Sequence, residues 1–234
     1  MTSLSKHGRG TLEVIYKPQT GIHEIDVVLV SGLQGRPIGN PTEIEFHDIL
    51  SKEITAARIL LFTYLPATSD HEHSSPLFCV DCLDGAAKSL VSTLSKQKSE
   101  EERVEKKEEG VTDEPSPVSN TPLAFVAYDL GGTIVKKALA IAAHDPRYSE
   151  VSAAATRLIF FGTPHDAPDL VSWADTLCSV FLASLHGPIS SRHLTTRANA
   201  LATFHRNLSV DFRSARTRRF IINVFEESPI QSVS

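Results

Sequence analysis

The stretch that most constrains the fold is LAFVAYDLGGTIVKKALAIAA, residues 123–143. Six residues of strand character end at Tyr128, and an apolar-periodic run from Gly132 to Ala143 reads as a helix. Between them lie Asp129, Leu130 and the first of two glycines, Gly131 and Gly132. A chain that passes from strand to helix over so few residues brings the helix's first turn hard against the sheet. Glycines there remove the side chains that would hold the two apart. One polar residue, Asp129, is left at the apex of the turn.

Other runs of the same character recur along the 234 residues: Leu12 to Tyr16, Asp26 to Val30, Arg58 to Thr63, Arg157 to Phe161 and Arg219 to Phe225. Most are continuously apolar, the pattern of strands buried on both faces of a largely parallel sheet. Helical patterns lie between them, at Thr42 to Lys52, Val80 to Lys96, Leu170 to Ser184 and Thr195 to Ala215, as well as after the turn. The alternation predicts an α/β three-layer sandwich. With 41% hydrophobic and 22% charged residues, residues 11–234 read as one globular domain. The exception is Lys96 to Asn120, with 5 basic and 8 acidic residues and almost nothing apolar. Such a segment cannot offset its ordering entropy by burial, so residues 96–121 are expected to form a charged, flexible insertion, with helical character running on from the preceding helix.

A net charge of −5 offers no broad basic field for nucleic acid, which is not expected as a partner. No run approaches the roughly 18 apolar residues of a transmembrane segment. Three cysteines, Cys79, Cys82 and Cys178, and no secretory signal pattern predict a reducing, intracellular, cytoplasmic setting.

The turn at Asp129 has the layout of a nucleophile elbow, G-x-S-x-G between strand and helix, with Ala127 for the first glycine and Asp129 in the serine's place. Four stretches extend the match. DVVLVSGLQGRP at Asp26 to Pro37 is similar to the pattern DIVFVHGLGGHP, and ARILLFTYLP at Ala57 to Pro66 to ARILTYGY. AYDLGGTIVKKAL at Ala127 to Leu139 is similar to GHSLGGLVVKQAL, and LIFFGTPHDAPDL at Leu158 to Leu170 to IIFLGTPHRGSDL. By these residues the sequence resembles the α/β-hydrolase superfamily, and within it the serine-active-site lipase- and esterase-like proteins common in fungi.

That resemblance implies an α/β-hydrolase fold with a mostly parallel sheet, here lacking the last strand and helix, since the strand and catalytic His expected after Glu226 do not precede Ser234. It implies an ester-bond hydrolase with no cofactor and no metal. The family's nucleophile falls on Asp129, its acid position on Glu226, and its oxyanion-hole donors on the backbone N–H groups of Leu33 and Leu130. The His of its "HG" loop falls on Ser31. The family also allows association with mitochondria or endoplasmic-reticulum membrane.

The departures bear on chemistry. A serine acylates because a base removes its proton and the ester formed is later hydrolysed. Attack by a carboxylate on an ester would instead give a mixed anhydride. The expected function is therefore a catalytically impaired hydrolase-like domain acting as an interaction or signalling module, with other protein domains or a lipid or ester ligand as partners. The alternatives are an active lipid or carboxylic-ester hydrolase, or an Asp-nucleophile hydrolase of the haloalkane dehalogenase or epoxide hydrolase kind. Against the latter, Leu130 stands where dehalogenases usually place a Trp. Asp also tolerates a positive φ better than most residues, so loss of the serine is expected to relax the turn.

Other candidates read as structural. His165, in GTPH, is expected to order its loop. His71, His73, Cys79 and Cys82 have a spacing that could bind zinc, but Phe78, Val80 and Leu83 suggest that the cysteines start a helix. The basic cluster at Arg213 to Arg219 reads as a solvated helix end.

Overall fold

The computed structural model describes residues 10–19, 23–32, 51–64, 80–108, 121–163, 165, 169–175, 191–214 and 218–225. In chain order the elements are β1 (Gly10–Tyr16), β2 (Ile25–Val30), β3 (Ala57–Tyr64), α1 (Val80–Glu108), β4 (Leu123–Tyr128), α2 (Leu130–His144), α3 (Ser149–Ala154), β5 (Ala155–Phe161), α4 (Ser191–Ser214) and β6 (Phe220–Val224). The six strands form one sheet in the order β1-β3-β2-β4-β5-β6. β1 runs antiparallel to β3, and every other pair is parallel.

The central apolar runs become strands whose residues are buried on both faces. Val28, Val30, Leu60, Phe62, Phe125, Leu158 and Phe160 face one side, where they pack with Leu90 of α1, Ile134 and Leu139 of α2, and Leu201 of α4. Val27, Leu29, Ile59, Ala124 and Val126 form a second cluster on the opposite face. The period-2 alternation of a strand splits each run between these layers, and at roughly 25 cal/mol per Å² of buried apolar surface both layers stabilise the sheet.

α1 continues twelve residues past the helix expected at Val80 to Lys96, carrying the charged segment as helix as far as Glu108. The rest of that segment, most of the helix expected at Thr42 to Lys52 and the later part of Leu170 to Ser184 lie outside the described residues; residues 51–53 and 170–175 are helical.

The register of the central parallel strands is fixed at their N-terminal end by a buried ion pair. Asp26 of β2 lies beside Arg58 of β3, and the guanidinium donates to both carboxylate oxygens, Nε at 2.6 Å and Nη2 at 2.7 Å. Both residues are buried, and His23 Nε2 lies 3.1 Å from the same carboxylate. A bidentate pair gives geometric specificity as well as energy. A buried charge stripped of its partner is costly, whereas a well-packed apolar pair in the same space is not. Arg58→Met is therefore expected to lower unfolding free energy by about 3–5 kcal/mol in urea titration, with Asp26→Leu/Arg58→Met recovering most of the loss.

Candidate functional site

Parallel strands β2, β4 and β5 deliver their C-terminal ends to one place, where open α/β sheets form their sites. Asp129 follows β4 directly and α2 begins at the next residue. Its N–H donates to Phe161 O at 3.0 Å, tying the turn to the end of β5, and its own carbonyl accepts from Gly132 N at 3.2 Å. Among the described residues Asp129 alone has a positive φ without being glycine, with φ 46° and ψ −125°.

The packing around this turn explains the two glycines. A Cβ on Gly131 would lie 2.4 Å from Ser31 O and 2.6 Å from Val30 O, so the first turn of α2 rests on the carbonyls at the end of β2. A Cβ on Gly132 would lie 2.2 Å from Thr163 Oγ1. Helix and strand ends meet at backbone distance, and the residue joining them has no room to unwind. The expected relaxation of the turn does not occur. A ψ of −125° lies far outside the left-handed helical well near about φ +57°, ψ +47° that Asp tolerates.

A strand-to-helix turn with this backbone, after a central strand of a sheet in this order, has the layout of a nucleophile elbow. The chain has the α/β-hydrolase fold. Neither a protein-family model nor a curated protein sequence matches it. Among solved structures it is similar to alpha/beta hydrolase domain-containing protein 10 from mouse, with 12% identity over 97% of this chain and 88% of that one and a TM-score of 0.45. It is similar also to a lipase/esterase from Lactobacillus plantarum, at 9% identity, 92% and 84% coverage and a TM-score of 0.43. Acetyl xylan esterase 1 from Thermoanaerobacterium sp. follows at 8% identity, 92% and 73% coverage and 0.44. Likenesses this distant bear on no residue or activity of this chain.

The Asp129 carboxylate sits between two glycines from neighbouring strand ends. A Cβ on Gly32 would lie 2.5 Å from Oδ2, and one on Gly162, which has φ +55°, would lie 3.4 Å from Oδ1. Tyr64, at the end of β3, is buried there too. Its hydroxyl donates to Gly32 O at 2.5 Å and to Ser31 O at 3.3 Å, bridging the two residues that leave β2. Burial first, and then the negative charge of Asp129, push the Tyr64 hydroxyl well above its usual pKa. The hydroxyl therefore keeps its proton and straps the loop.

Of the residues expected at the site, Leu130 is buried as the first residue of α2. Ser31 is buried at the end of β2. Leu33 and Glu226 lie outside the described residues, as do His71, His73 and Cys79; Cys82 is a half-buried cysteine in the first turn of α1. Gly32, Tyr64 and Gly162 lie within the stretches DVVLVSGLQGRP, ARILLFTYLP and LIFFGTPHDAPDL, but nothing in those patterns marks them as neighbours of Asp129. A polar ring ending the apolar run of β3 is the one hint that sequence offers for Tyr64.

His165 packs edge-on to Phe160 and Phe225, with ring centroids at 5.3 and 6.4 Å, and its backbone carbonyl accepts from Ser209 Oγ at 2.8 Å. Its Nε2 is buried without a hydrogen-bond partner, as is that of His205, whose ring stacks on Trp173 at 4.7 Å. Between the sheet and the helices lies buried Lys136, its ammonium 5.5 Å from the Phe160 ring centre. Burial chiefly, then Lys136, lowers His165 to about 4, against a hydrogen bond with Asn223 that raises it. Burial, Lys136 and His165, in that order, lower His205 to about 3.

Both imidazoles are thus neutral in the folded chain at pH 7 and gain protons on unfolding once the pH falls below about 6.5. The folded pKa values lie below the unfolded ones, so stability is full above about 6.5 and is lost as pH drops towards 4. For His205 alone the loss between pH 7 and pH 5 amounts to about 2 kcal/mol. Urea titrations at the two pH values are expected to show this decline, and His205→Phe to flatten it.

Proposed function

We propose that this domain keeps the α/β-hydrolase scaffold but works by binding, as an interaction or signalling module, and does not carry out acyl transfer. The observation that carries the reading is the carboxylate at the elbow's apex. A hydrolase develops negative charge on the substrate oxygen beside its nucleophile and stabilises it with backbone donors. A second negative charge at about 4 Å, in an effective dielectric of about 20, raises that intermediate by about 4 kcal/mol, close to a thousandfold in rate. Asp129 also carries no proton for a His to remove, and the anhydride it would form has two comparable leaving groups.

The strained backbone supports a second reading, an Asp nucleophile displacing at an sp3 carbon. There the new bond joins a carboxylate oxygen to the alkyl carbon, the halide or alkoxide leaves, and water then cleaves the alkyl ester.

The test is turnover of short- and long-chain acyl esters, with fluorophosphonate labelling as a readout of an activated hydroxyl. The native chain is expected to be silent in both. Ester turnover that Asp129→Ala abolishes would defeat the binding-module reading. Turnover of haloalkanes or epoxides, with 18O from labelled water entering the Asp129 carboxylate in a single turnover, would decide for the second.

A further inference from the structure

We draw no further inference here: the strongest candidate, the cluster of Lys136, His165 and His205 between α2, α4 and the loop after β5, whose two imidazole Nε2 atoms are buried without a hydrogen-bond partner, carries nothing, because ordered water satisfies such atoms as well as a ligand does and the coupling of its charges is the pH dependence already derived for the candidate site.

Discussion

The contact on which the site depends is the approach of α2 to the end of β2. Gly131 rests against the carbonyl oxygens of Val30 and Ser31 at distances that exclude any side chain, and Gly132 does the same against Thr163. Seating the helix this deep sets its axis and shortens the path from β4. That path has one residue to absorb the change of direction, and Asp129 does so at φ 46°, ψ −125°. Tyr64 from β3, and Gly32 and Gly162 from the ends of β2 and β5, then reach the apex because the parallel strands end at a common level.

Within that frame the carboxylate reverses the sign of the site. The elbow of a hydrolase collects donors, a helix N-terminus and backbone N–H groups, around a place where negative charge appears. Here the negative charge is resident. Its influence reaches Tyr64, whose proton is held the more firmly for it, and that hydroxyl in turn holds the carbonyls of Ser31 and Gly32.

Much of the fold was legible as pattern because the relevant forces are local or periodic. The central apolar runs became strands buried on both faces, and the glycine pair marked the close helix approach. β6 was legible as a strand, but its exposure was not, since an apolar run has the same composition whether or not anything covers it. Tyr64 escaped notice because its role is a contact over 32 residues of sequence. The same holds for Lys136 and His205, which come together with His165 only once α2, α4 and the loop after β5 are packed together. Leu33 and Glu226 were placed by motif alone, which gives position along the chain and no geometry.

The elbow's strain bears on how such turns are interpreted. Backbone strain of about 1–3 kcal/mol persists where the surroundings over-determine it, and it clusters at active sites. The step from strain to catalysis requires that chemistry be what maintains it. In this chain the strain is maintained by steric contact on both sides of the turn, at Gly131 and Gly132, and by the hydrogen bond from Asp129 N to Phe161 O. None of these involves the Asp129 side chain. Exchange of the apical side chain therefore leaves the dihedral angles where packing has set them, and a positive φ at this position reports the fold. Whether the fold also does chemistry depends on the side chain's charge and on its proton, which are the two properties that an aspartate changes.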